Sequence, residues 1–175
     1  MKIKYLISLI IVCYPLICNS QHTGAWDKWN WLIGEWQGEG SGIPGEGYGT
    51  FSFSFDLDRN IIIRRSHSDY TAGDFKRKTI RDDLMIVYIT NDNRDRAIFF
   101  DNEGHTINYT ITYTDSSIVL TSDINPHTPV FRLIYTSLNG ETVYTKFQMS
   151  RDGISFMTYV EGTSKKVQEI RNSTE

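Results

Sequence analysis

Cysteine is nearly missing: the 175-residue chain has two, Cys13 and Cys18. Both lie in a stretch expected to be removed. Lys2 and Lys4 open it, Tyr5 to Ile17 is almost continuously apolar, and Cys18-Asn19-Ser20 leads to a cleavage point near Ser20–Gln21. Residues 1–20 therefore read as a secretory signal and residues 21–175 as a single domain, periplasmic or secreted. The apolar run falls short of the about 20 residues a membrane span needs, and Pro15 interrupts it, so no stable membrane insertion is expected after cleavage. A mature chain without thiols has no disulfide and no cysteine metal site. Its stability must come from a core, for which the length suffices.

Positive charge is sparse as well. Without Lys2 and Lys4 the basic residues number 16 against 21 acidic ones, a net charge of −5, and no basic run stands out. That speaks against nucleic acid and anionic lipid as partners. The sequence holds no Gly-x-Ser-x-Gly, phosphate loop or dinucleotide fingerprint. Gly38, Gly40 and Gly42 alternate through a strand-like stretch and precede no helix. Histidine is scarce too, at positions 22, 67, 105 and 127. His67 and Asp69 could join His105 on a metal, but no further ligand at useful spacing appears, so no metal site is expected.

What the chain has in abundance is alternation. From Glu35 onward apolar residues recur with period two, as in Phe51, Phe53, Phe55 and Leu57 against Ser52, Ser54 and Asp56. Ten strands are expected: 35–42, 51–57, 61–70, 82–90, 96–101, 105–113, 118–122, 130–135, 143–149 and 155–160. Turn chemistry separates them, for example Asp58-Arg59-Asn60, Asn102-Glu103-Gly104, Asn139-Gly140 and Asp152-Gly153. Consecutive antiparallel strands with short links close into an up-and-down barrel, which removes exposed edges. The fold class is thus all-β. Ahead of the strands, Trp26, Trp29 and Ile33 recur at three- and four-residue steps, which predicts a short capping helix over His22 to Ile33, stopped at Gly34.

Gly34-x-Trp36-x-Gly38-x-Gly40 after that segment, followed by strands to a total of ten, resembles the calycin-type barrels, with nitrobindin and the fatty-acid-binding proteins as the nearest named members. A closer likeness is to a largely uncharacterised bacterial family related to nitrobindin. It is carried by Trp31 to Gly42, Ile61 to Tyr70, Asp82 to Tyr88, Phe99 to Tyr109 and Phe131 to Tyr135. The nitrobindin likeness implies haem held by a histidine late in the chain. No histidine follows His127, so no haem, and no other cofactor, is expected. Resemblance to a fatty-acid binder implies inward arginines or tyrosines late in the barrel. Arg132 alternates with Phe131, Leu133 and Tyr135, and if those three face inward Arg132 faces water.

Arg64 and Arg65 are adjacent in a strand, so one points inward and the other outward. A two-residue turn at Arg59-Asn60 would pair Leu57 with Ile62 and Phe55 with Arg64, putting Arg64, Ser66, Ser68 and Tyr70 inside. A bulge would reverse this. An inward guanidinium needs a carboxylate, Asp83 or Glu103, or an anionic ligand. His105 leads the row Ile107, Tyr109, Ile111 and Tyr113. Asp101 or Glu103 beside its ring could prepare it for acid–base work, or simply hold it at a barrel rim. The leading expectation is an exported protein binding a small, partly apolar or anionic ligand in its barrel, anchored by Arg64, Tyr70, Asp83, His105 and Tyr109. The alternative is a small enzyme on the same barrel with His105 as general acid or base, oriented by Asp101 or Glu103. A third is a barrel with a filled interior that binds other proteins through its surface.

Overall fold

The computed structural model describes residues 24, 26–40, 49–71 and 78–168. Residues 1–20, read as a signal, lie outside them. Ten antiparallel strands close into one barrel: β1 (Gly34–Gly38), β2 (Thr50–Asp56), β3 (Ile61–Thr71), β4 (Lys78–Ile89), β5 (Asp95–Asp101), β6 (Thr106–Tyr113), β7 (Ser117–Ser122), β8 (Val130–Ser137), β9 (Thr142–Ser150) and β10 (Met157–Lys166). Each strand pairs with its chain neighbours, and β1 joins β10 through Trp36 opposite Lys166 and Gly38 opposite Ser164. No described strand is left with a free edge.

Alternation sets the inward face throughout. On β6, Tyr109 and Ile111 are buried between exposed Asn108, Thr110 and Thr112. On β3, Ile62 and Arg64 are buried while Arg65 and His67 are exposed. The β2–β3 hairpin differs in detail from the expected two-residue turn. Asp56 pairs with Ile61, and Leu57–Asn60 make a four-residue loop in which Leu57, Asp58 and Arg59 all have positive φ. Asn60 holds it by donating its backbone N–H to Asp56 O (3.1 Å) and its side-chain amide to Leu57 O (2.6 Å). Phe53, not Phe55, therefore lies opposite Arg64. The register shift is two residues, and an even shift leaves every side chain on its face.

The expected helix over His22 to Ile33 is not found among the described residues. Residues 26–32 form successive turns, with Trp29 N–H donating to Trp26 O and Leu32 N–H to Trp29 O, each at 2.8 Å. Three-residue closure places side chains at i and i+3 above one another. Trp26, Trp29 and Leu32 thus share one edge, and all are buried, whereas Ile33 is only half-buried. This edge plugs one end of the barrel. Trp26 Nε1 donates to Arg59 O at 2.7 Å, Trp29 Nε1 to the Tyr113 hydroxyl at 2.8 Å, and Trp36 Nε1 to Leu32 O at 2.8 Å. The Tyr113 hydroxyl in turn donates to the Asp95 carboxylate. Gly34 (φ +126°) turns the chain from plug to strand, where a Cβ would come within 2.8 Å of the Lys166 side chain.

Two further boundaries depart from expectation. β4 begins at Lys78, inside what reads as a polar connection, because the backbone ladder with β3 continues to Thr71 opposite Lys78. β10 runs past Val160 to Lys166, after a bulge between Thr158 and Val160.

Candidate functional site

The barrel interior divides in two. The plugged half is solid with Trp29, Phe53, Ile62, Val87, Ile118 and Leu120, all essentially inaccessible. The other half holds a cavity of about 1050 Å³, at the end carrying the turn Asn102–His105 and the loop Asp123–Pro129. Its size suits a small organic molecule. Phe99 and Ile107 from β5 and β6 wall one side. Phe131, Leu133 and Phe147 from β8 and β9 wall another, with the rings of Phe131 and Phe147 stacked at 5.7 Å.

Arg64 lies on the floor, 7% exposed, as the alternation of β3 expects. Its guanidinium donates to Asp83, whose backbone pairs with Ser66 two residues along β3. Of the two expected partners it is Asp83 that takes the role; Glu103 pairs with Arg81 at 3.3 Å instead. The guanidinium also sits over the Phe51 ring at 5.5 Å, and Phe51 stacks on Trp36. Burial opposes the charge of Arg64 and the Asp83 carboxylate favours it; the net direction is upward, so the arginine stays protonated. Tyr109 lines the cavity, and Tyr135 sits just behind, its ring edge-on to Phe53. Burial pushes both phenols well above the usual tyrosine range, against the pull of Arg64, so both remain neutral hydroxyls.

Three polar atoms around this floor have no hydrogen-bond partner: Arg64 Nε, Thr145 Oγ1 and the Tyr135 hydroxyl oxygen. Thr145 pairs with Tyr135 across β8 and β9, and the Phe51 ring lies against both Tyr135 and the Arg64 guanidinium. Thr145 goes unnoticed in the sequence. Its signal is there nonetheless, between Val143 and Phe147 on the inward row of β9.

Of the two places expected for His105, the structure takes the barrel rim. β6 starts one residue later, and the imidazole is 62% exposed at the cavity mouth, not among the buried anchors. The reason is local. Asp101 Oδ1 accepts the backbone N–H groups of Glu103 (3.0 Å) and His105 (2.8 Å), which curls the turn, while Asp101 Oδ2 meets His105 Nδ1 at 2.8 Å. Burial works against the Asp101 charge, but these hydrogen bonds outweigh it and hold the carboxyl below its ordinary value. Glu103 lies farther from the ring, at 3.9 Å. Asp101, Glu103 and His105 thus converge at the mouth as a mutually bonded, largely exposed group. Tyr70 stands on β3 opposite Thr79, and its side chain lies outside the described residues. His67 is exposed and bonded to Asp82 at 2.6 Å, away from His105. Arg132 points outward, as its neighbours require. It is not simply solvated, since its guanidinium lies 3.5 Å over the Phe156 ring and its Nε is buried without a partner.

Protein-family models give no match to this sequence, and the search of curated proteins finds none either.

Proposed function

We propose that this protein binds a small, partly apolar molecule inside the barrel, with the polar part of the ligand against Arg64, Tyr109 and Thr145. One observation carries this reading. Buried polar atoms without partners are costly, about 1–3 kcal/mol each, yet Arg64 Nε and Thr145 Oγ1 belong to side chains that line one cavity with aromatic walls, and the Tyr135 hydroxyl lies just behind them. A ligand bearing hydrogen-bonding atoms would recover that cost. A calycin-type, nitrobindin-related barrel and an exported location belong to the same reading. The closed order of ten strands supports the first, and the apolar run after Lys4 supports the second. Native mass spectrometry of freshly purified protein tests the proposal. A co-purified small molecule, released on denaturation, is expected. Protein that arrives empty and takes up no apolar probe would overturn it.

The contact between Asp101 and His105 favours a second reading, an enzyme with His105 as general acid or base at the cavity mouth. It requires an activity that His105→Ala abolishes while the fold is retained.

A further inference from the structure

The cavity is rich in hydrogen-bonding groups, yet its floor carries no net charge. Arg64 is the one cation there among the described residues, and Asp83 already neutralises it from the same inward face. Among the described residues the charged groups at the mouth are paired as well. Arg81 faces Glu103 at 3.3 Å, and the His105 ring faces Asp101 at 2.8 Å. Asp82 and Asp123 add two more carboxylates to the lining, bonded to His67 and Arg96.

An anion entering this cavity would pass Asp101 and Asp82, whose partners are histidines and not arginines, and then have to compete with Asp83 for Arg64. Like charges repel more strongly where water is scarce. Displacing Asp83 would leave its carboxylate without a partner in a largely enclosed site. An uncharged oxygen meets neither obstacle. It can take its hydrogen bonds from the polar side chains that line the floor, Tyr109 and Thr145, while a ligand hydroxyl can donate to either oxygen in return.

Resting on the binding reading above, we infer that the cavity selects uncharged, oxygen-bearing apolar molecules, such as long-chain alcohols, ketones or esters, over the matching carboxylates. Charge neutralisation by Asp83 is the device, so removing it should expose Arg64 to anions.

Two probes sharing one aromatic frame test this: neutral N-phenylnaphthylamine and its charged relative anilinonaphthalene sulfonate, titrated into purified protein at neutral pH and read by fluorescence. Dodecanol and dodecanoate then compete for the neutral probe. The uncharged member of each pair should bind at least about tenfold more tightly, and in Asp83→Asn the gap should close or invert. If that variant does not fold, acidification of the wild type serves instead, because protonating dodecanoate should remove its disadvantage. Equal or tighter binding of dodecanoate to the wild type would overturn the inference and leave the protein a binder. So would a preference that survives both Asp83→Asn and acidification. Failure of every probe and competitor to bind would remove the binding reading itself.

Discussion

Arg64 and Asp83 face each other inside the barrel, and a double-mutant cycle on them measures how far that pair is shielded from water. Arg64 is 7% exposed and the Asp83 side chain 19%, the latter toward the cavity. Removing one partner of a buried pair costs about 3–5 kcal/mol, chiefly because the survivor is stranded. Asp83→Leu strands the more deeply buried charge, which can neither lose its proton nor reach solvent, so about 3 kcal/mol is expected. Arg64→Met strands a carboxylate that borders the cavity, and about 2 kcal/mol is expected. With Arg64→Met and Asp83→Leu combined, no charge is left behind, and the double variant should fall within about 1 kcal/mol of wild type. The non-additivity is then at least about 4 kcal/mol. Urea titrations of all four proteins give it directly, and the larger single loss should appear as roughly 6–12 °C in Tm for a chain of this size. Strictly additive losses would show that water screens the pair. The argument for a neutral, water-poor floor would then fail.

Thr145→Val removes a buried hydroxyl without a partner, so the free protein should gain about 1 kcal/mol in urea unfolding while its affinity for dodecanol falls. Tyr113→Phe deprives both the Trp29 indole and Asp95 of their shared partner, and a loss of about 2 kcal/mol is expected by thermal circular dichroism with the cavity unchanged. Asp101 has its carboxyl pKa lowered by folding, so its contribution is present above the unfolded value of 3.8 and is lost as pH falls through the lower folded value. Asp101→Asn should therefore destabilise at neutral pH, and the difference from wild type should shrink below about pH 4, as urea titrations at several pH values would show. His105→Ala, on the wet rim, should change stability by no more than about 0.5 kcal/mol, a margin that unfolding titrations resolve.

The barrel was legible in the sequence because one rule, inward and outward residues taking turns, runs along strand after strand, most plainly β6 and β7. That rule also tolerates error. The β2–β3 hairpin closes with a loop two residues longer than expected, and Arg64 still faces inward because the shift is even. Where alternation carries no apolar signal, the reading stops early. The inward positions late in β10 are Gly162 and Ser164, too small to advertise a buried face, so the half of the strand that closes the barrel onto β1 goes unread. For His105 the sequence left an inward place and a rim place open, and local hydrogen bonding decides for the rim. Extending the parity of β6 one residue back assumes a strand, but Asp101 captures the His105 backbone N–H and turns the chain away. The plug fails through its period: Trp26, Trp29 and Leu32 are spaced by three throughout, which favours stacked turns over a helix.

Imperfect packing would scatter unpartnered polar atoms through the interior, and their arrangement here is not scattered. In the plugged half, every indole N–H of Trp26, Trp29 and Trp36 finds an acceptor, and Tyr113 both accepts and donates. Of the four buried side-chain atoms without partners among the described residues, three belong to Arg64, Tyr135 and Thr145, at the base of the cavity, and only Arg132 Nε lies on the outer face. A chain that satisfies the buried polar groups at one end of its barrel has the means to do so at the other. Substituting Phe at 135 and Val at 145 would have removed two of the three at little steric cost. Their presence beside a neutralised arginine suits a binding floor: polar groups held in place by packing, with Arg64 and Thr145 on the cavity wall and Tyr135 directly behind it.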